Sequence, residues 1–406
     1  MKPMAFSLSL FAAITLTFSL TGFTQAQTFS KHGPAGPKAQ ASLTASHSGG
    51  STDRPTSNVQ ANWTEFLLPN MVRSNTHENT LSVSNVGGLQ KLWSYTTGNW
   101  VQSSAAVVSG VVYFGSADNN VYALNAHTGA KLWSYTTGDQ VHSSPAVVNG
   151  VVYIGSNDLN VYALNATTGA ELWSYNTGNS VFSSPMVVNG IVYVGSESGF
   201  FFALNATSGT LLWKFTGGQE FSTPAIADGL VFFGDTRNKV YALNARTGKK
   251  HWSYTTSGGV VGSAAVSNGV VYIGSDDNNL YALQAKTGAL LWRYTTGGQV
   301  GSAPAVANGV VYFGSGDGKV YALDSTTGTV RWTYATGAGV YDAPAVANGV
   351  VYVGSEDGNV YALDATTGVK LWNYQTVNFV LASPTVVNGV VYVGSYDDTM
   401  YAFSLS

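Results

Sequence analysis

The chain has 406 residues, no cysteine, 18 Lys+Arg against 21 Asp+Glu, and a formal net charge of −3. Charged residues make up 10%, against about 25% in an ordinary soluble domain, while hydrophobic residues reach 45%, with 47 Gly, 23 Tyr and 10 Trp. This composition points to a β-rich globular chain rather than a disordered one. It lacks the basic stripe of a nucleic-acid binder. Without cysteine there is no disulfide framework, thiolate metal site, Cys nucleophile or Cys-linked lipid.

In chain order, residues 1–26 read as a secretory signal peptide. Lys2 supplies the positive start, residues 5–20 (AFSLSLFAAITLTFSL) the apolar stretch, and Thr24-Gln25-Ala26 the small residues before a cut after Ala26. The stretch is short for a membrane span of about 20 residues, and Gly, Asn or Asp breaks every later apolar run. The chain is therefore expected to be exported, periplasmic or secreted, with no transmembrane span once mature and no lipoprotein anchor. Residues 27–61 are rich in Ser, Thr, Ala, Gly and Gln and read as a disordered linker. Order is expected from near Trp63, and residues 62–406 read as one domain.

From residue 89 the sequence repeats. Tryptophan recurs at 93, 133, 173, 213, 252, 292, 332 and 372, in steps of 40 with one step of 39. VVYxG and YAL, or close variants, each recur eight times in phase with it. In the copy 139–178, four short runs rich in Val, Tyr, Ile and Trp are separated by turn residues. Asn149-Gly150 joins the first two. Six units have Asn-Gly there, the others Ser109-Gly110 and Asp228-Gly229, dipeptides that suit a type I′ hairpin. Each unit is thus predicted to be a four-stranded antiparallel meander, strands A to D.

Such a unit has two faces to bury, and radial stacking buries both. The fold predicted is all-β, an eight-bladed β-propeller. The first marker falls in a D strand, residues 89–96, and the last in a C strand near 400–405. These two segments are predicted to pair, so that an N-terminal strand completes the last blade and closes the ring.

Chemistry is sparse. The six His (32, 47, 77, 127, 142, 251) have no metal-ligand spacing, and no HExxH, GxSxG, Walker loop or GxGxxG occurs. The glycines are read as turn residues, and the repeated Trp and Tyr as inter-blade core. The Asp118, Asp158, Asp277, Asp317, Asp357 and Asp397 column of the B–C turns is read as local backbone capping, with an acidic rim as the functional alternative.

Function is sought where equivalent positions differ. One column reads Gln102, His142, Phe182, Phe221, Val261, Gly301, Tyr341 and Leu381. A second reads Trp100, Gln140, Ser180, Gln219, Gly259, Gln299, Gly339 and Phe379. Both lie beside the invariant Val101, Val141 and Val181, on the face shared by the D–A connections and B–C turns. The candidate ligand or partner face is therefore Trp100, Gln102, Gln140, His142, Phe182, Gln299, Tyr341 and Phe379. A secondary charged cluster is Glu220, Asp235 and Arg237 in the short unit 217–256. A two-residue turn at Asp228-Gly229 would set Glu220 opposite Arg237 and Ser222 opposite Asp235. The same count sets Val141 opposite Asp158 in the regular unit. Glu220 and Arg237 would then be a compensating cross-strand ion pair.

Ala163, Asn165, Thr168, Gly169 and Trp173 form AxNxxTGxxxW, which recurs in seven units with Gln284, Asp324 and Asp364 in place of the Asn and Ser208 in place of the Thr. This pattern resembles the tryptophan-docking motif of pyrroloquinoline-quinone (PQQ)-type propellers. Trp63, Phe66, Arg73, Asn85-Val86, Leu89 and Trp93 resemble the leading segment of such proteins. The resemblance covers residues 63–406. It implies the propeller, with each Trp docked on the next blade. The family includes PQQ- and calcium-dependent dehydrogenases and non-catalytic members such as BamB. The units here carry no long insertion and no cysteine pair, both common in the dehydrogenases, and no lipoprotein cysteine as in BamB. The expectation is a non-catalytic, monomeric propeller scaffold with a protein partner in the envelope or extracellular space and no cofactor. The alternatives are a quinoprotein dehydrogenase using PQQ with calcium, and a carbohydrate-binding surface protein.

Overall fold

A computed structural model describes residues 62–64, 73–219 and 221–406. The predicted signal peptide, the linker and Phe66 lie outside the described residues. Eight antiparallel sheets follow one another in chain order. Blade 2 shows the pattern: strands Ala146–Val148, Val151–Gly155, Asn160–Asn165 and Glu171–Asn176, adjacent strands paired in the order A-B-C-D. Asn149 and Gly150 both have positive φ, 51° and 76°, the type I′ geometry anticipated from Asn-Gly. Strands B and C are buried on both faces and strand D is largely exposed. That is why B and C read as continuous apolar runs.

Adjacent blades are joined by a repeated contact. The Trp133 ring lies over Gly169 of the next blade, where an added Cβ would fall 2.7 Å from Cε3. Its Nε1–H donates to the Ala166 carbonyl at 2.9 Å, and the Tyr113 hydroxyl donates to the same oxygen at 3.1 Å. Gly169 is needed twice over, for its φ of +73° and for the ring above it.

Not every glycine serves a turn. The one ending each B strand lies against the next blade's lead-in: a Cβ on Gly155 would fall 2.4 Å from Val181 Cγ1. Val181 donates its N–H to the Ser156 carbonyl at 3.1 Å. Val141 does the same with Gly115 and Ser116 of blade 1. The sequence count had placed Val141 opposite Asp158 in its own hairpin. It instead packs on the preceding blade, beyond the paired residues of strand A, which begin at Ala146, while Ser143 Oγ accepts from the Gly155 N–H at 3.1 Å.

The ring closes as predicted. Leu89–Thr96 pairs antiparallel with Thr399–Leu405, from Leu89 opposite Leu405 to Thr96 opposite Thr399. Trp372 completes the circuit by donating to the Leu89 carbonyl at 3.0 Å.

The leading segment lies along the innermost strands. Ser74–Asn75 adds a fifth strand, parallel to Ala345–Ala347 of blade 7. Trp63 exchanges two backbone bonds with Val107 of blade 1, and Thr64 accepts one from Val147 of blade 2. Arg73 is fully buried and donates to the carbonyls of Pro344 (3.2 Å) and Pro384 (2.6 Å). Its guanidinium lies 5.1 Å from the Trp63 ring centre. These contacts cover strand edges that would otherwise face the axis unpaired.

Candidate functional site: the axial mouth

The B–C turn aspartates are structural. Asp158 Oδ2 accepts from the Gly138 N–H (2.6 Å) and the Tyr162 hydroxyl (2.7 Å), and Oδ1 from the Asn160 N–H (3.1 Å). Asp118, Asp277, Asp317, Asp357 and Asp397 hold the equivalent tyrosines. Burial opposes ionisation of Asp357, but hydrogen bonds from Tyr361, Gly337 and Asn359 outweigh it and hold the carboxyl below its ordinary range. Each Asp ties the incoming D–A connection to its own C strand.

Blade 4 departs from the sequence reading. A Cβ on Gly195 would fall 2.4 Å from the Phe221 Cβ, so Phe221, not Glu220, holds the place of Val141 and Val181. Phe221 bridges to Asp235. Ser222 lies opposite Gly234, exchanging bonds at 3.1 and 2.9 Å, rather than opposite Asp235 as counted. The residue missing from this unit is therefore the His142 equivalent, and Phe221 leaves the variable column for a buried site against Phe201 and Phe233. Glu220, and with it the proposed pair with Arg237, lies outside the described residues. Asp235 is fully buried and accepts from the Tyr241 hydroxyl at 3.0 Å and from the N–H groups of Arg237 and Lys239. It does the work of Asp158 from two residues upstream, which frees Arg237 to be exposed.

At the mouth the variable columns converge. Gln102, His142, Gly301, Tyr341 and Leu381 line an axial cavity of about 150 Å³. Asp342 and five serines also line it. Among them Ser104, Ser144 and Ser383 join a belt of blade-to-blade bonds near 2.9 Å. Trp100 stacks on Tyr396 (5.2 Å, 8°) and on His142 (6.4 Å, 26°), and His142 stacks on Phe182 (5.2 Å, 13°). Four rings thus form one continuous arc. Gln140 Oε1 lies 2.9 Å from His142 Nε2, a contact that a proton on Nε2 satisfies. Burial lowers the His142 pKa, with Asp139 opposing it. His142 Nδ1 and Trp100 Nε1 are both buried without a hydrogen-bond partner, each at a cost of about 1–3 kcal/mol. Gln299 and Phe379 hold the Trp100 position in their units, exposed on the rim outside the cavity.

A third column escaped the sequence reading: Ala117, Asn157, Glu197, Thr236, Asp276, Gly316, Glu356 and Tyr396, each following a buried Ser or Asp. All but Thr236 donate their backbone N–H to a carbonyl of the Trp100 column. Its signal was there, since it varies as the other two do. Desolvation raises the pKa of Glu197, Asp276 and Glu356. After burial, the charges of Glu356 and Asp276 further raise Tyr341, and Glu356 helps push Tyr396 up to about 12. Asp276 and Glu356 therefore act on aromatic side chains of the mouth, Tyr341 and Tyr396. Deeper, Asp342 is 2% exposed, with Oδ2 bonded to the Gly354 N–H at 2.6 Å and Oδ1 unpartnered. Burial raises it well above the usual carboxylate range, against the nearby Arg73 charge. Burial likewise draws Arg73 down to about 9.

A closed ring of eight four-stranded blades, each docked on the next through a Trp, over a Gly at seven of the junctions and on the Leu89 carbonyl at the eighth, defines the PQQ-like β-propellers. Within them the chain belongs to the family described as outer membrane protein assembly factor BamB, whose model matches residues 158–263, 255–341 and 335–406. Residues 74–144 match the glucose/ethanol/alcohol dehydrogenase β-propeller domain. Comparison with curated proteins found no match. Among solved structures, a europium-containing methanol dehydrogenase is similar at 17% identity and TM-score 0.74, covering 85% of this chain and 98% of that one. BamB from Moraxella catarrhalis is similar at 21% identity and TM-score 0.69, covering 78% and 99%. The computationally designed Ika8 protein is similar at 22% and 0.71, covering 78% and 99%. These likenesses establish the fold.

Proposed function

We propose that this chain is an exported, non-catalytic propeller that binds a protein partner through its axial mouth. A contrast within the repeats carries this reading. The blades are nearly uniform where they pack on one another, and they differ where Trp100, His142, Phe182, Tyr341, Glu356 and Tyr396 surround one opening. Packing alone would be served by one residue type throughout. The partially exposed aromatic side chains suit a binding surface.

The dehydrogenase match over residues 74–144 motivates a second reading, PQQ with calcium. The residues do not suit that pair. PQQ is a flat tricarboxylate and needs an open aromatic face and cations. Trp100 already stacks on Tyr396 at 5.2 Å, with His142 at 6.4 Å, and the one cation near the cavity, Arg73, is fully buried and bonded to the Pro344 and Pro384 carbonyls. Calcium needs several converging oxygens, and among the described residues no three acidic or histidine side chains are grouped to hold a metal.

Two experiments test the proposal. PQQ and calcium are added to the protein while quinone absorbance and dye-linked alcohol oxidation are followed. Neither stoichiometric binding nor turnover is expected, and both together would overturn the reading. A photo-crosslinking residue is then placed at Phe182 or at the outer-strand Leu172 in the native host. A discrete adduct is expected at Phe182 alone, and equal adducts at both would remove the mouth as the site.

A further inference from the structure

Resting on the reading of the mouth as the binding site, we propose that it takes a lysine- or arginine-bearing segment of a partner polypeptide. Glu197, Asp276 and Glu356 are half-buried, and among the described residues the one side-chain ion pair is Arg331–Asp324, away from all three. They sit at equivalent places in blades 3, 5 and 7, in a chain with only 10% charged residues. An unpaired, partly desolvated carboxylate is costly, and here three stand at equivalent places round the ring, two of them within electrostatic reach of the cavity-lining Tyr341.

A second, independent observation lies below them. Asp342 lines the cavity, is 2% exposed, and leaves Oδ1 without a partner. Its counterparts Ser103, Ser143 and Ser302 meet the same strand-end N–H with a neutral hydroxyl. Blade 7 alone among these carries an acid there, which adds an acceptor at the cavity floor.

The arrangement excludes a single metal ion, because the acids occupy alternate blades and form no metal-holding group among the described residues. It favours a cation that is spread out and organic. Tyr341 is within electrostatic reach of Asp276 and Glu356, and Tyr396 of Glu356; a Cβ added at Gly339 would meet both the Tyr341 ring (2.7 Å) and Glu356 Oε2 (2.8 Å). Aromatic rings flanked by carboxylates attract ammonium and guanidinium groups through both charge and the ring quadrupole. The cavity, about 150 Å³, is smaller than the roughly 300–1,000 Å³ of a small-molecule site. It has room for one long side chain, with the rest of the segment lying across the aromatic rim.

The test uses the full chain and fluorescein-labelled peptides of alternating Arg-Gly, Lys-Gly and Glu-Gly, read by fluorescence anisotropy at physiological salt. Saturable binding of the Arg-Gly or Lys-Gly peptide is expected. The triple variant Glu197→Gln, Asp276→Asn, Glu356→Gln should weaken it by roughly tenfold or more. A control removes equal charge away from the mouth: Glu171→Gln, Asp228→Asn, Asp364→Asn. It should change binding by less than about twofold. Equal losses in both triples would reduce the effect to net charge and overturn the proposal. So would stoichiometric displacement of the peptide by calcium, or no binding of either basic peptide. Binding of the Glu-Gly peptide, lost in Phe182→Ala, would overturn the cationic partner yet leave the mouth as the site. Crosslinking that ignores Phe182 would instead overturn the mouth itself.

Discussion

The indole of Trp93 and the hydroxyl of Tyr392 donate to one acceptor, the Ala126 carbonyl, at 2.9 and 3.2 Å. Trp133 and Tyr113, both from blade 1, make the same pair on Ala166. Trp93 belongs to the leading strand and Tyr392 to the last blade. The two ends of the propeller therefore act as one blade and dock on blade 1 together.

Trp93→Ala should accordingly destabilise the whole ring. Trp93 is 8% exposed, and truncating a buried Trp costs on the order of 3–5 kcal/mol. Chemical denaturation measures it. Deletion of residues 1–98 removes the closing strand and should give an aggregating protein. A soluble deletion protein that melts cooperatively would sink this account of closure.

Two glycines in one blade should respond differently to alanine. At Gly150 nothing lies within 4 Å of the added Cβ, and only the φ of +76° is strained, for about 1 kcal/mol. At Gly155 the methyl would fall 2.4 Å from Val181 Cγ1, an overpacking cost of about 1–3 kcal/mol or more. Adding Val181→Ala to Gly155→Ala should recover part of the loss, and adding it to Gly150→Ala should not. A double-mutant cycle reads the difference.

Acid should loosen the B–C turns. The folded pKa values of Asp277 and Asp357 are lowered: burial works against this, and the Tyr and backbone hydrogen bonds prevail. A carboxyl lowered by folding adds stability above its unfolded value, near 3.9. That stability is lost as pH falls through the folded value. Tyr361→Phe removes one of these bonds and should shrink the acid-dependent part of Tm, measured by calorimetry from neutrality downward. The mouth acids have the opposite sign. Desolvation raises Glu356, so Glu356→Gln should keep or slightly raise stability at neutral pH, by no more than about 1 kcal/mol.

Blade 4 offers a swap. Asp235→Ser leaves the Tyr241 hydroxyl and the turn N–H groups without their acceptor, at about 1–3 kcal/mol. Arg237→Asp in the same chain recreates the Ser156 and Asp158 pattern of blade 2 and should restore most of it. If the double variant is no more stable than Asp235→Ser alone, the equivalence of Asp235 and Asp158 is wrong. Urea unfolding decides.

The sequence by itself determined the ring. Three markers repeated eight times, Asn-Gly turns at one place per unit, and a D strand left at the start all state local or nearest-neighbour rules, which a linear sequence carries openly. Even closure followed, because one missing strand has one place to go. The tertiary structure decided what faces the axis. Beyond the paired residues of strand A the chain is placed by a side-chain bond, Gly155 N–H to Ser143 Oγ, and by a valine packing across blades. A count along one chain cannot see either, so Val141 and Phe221 were misplaced. The arc from Tyr396 through Trp100 and His142 to Phe182 joins residues some 300 positions apart. Asp276 and Glu356 stand in separate blades, and only the curvature of the ring brings both within electrostatic reach of Tyr341.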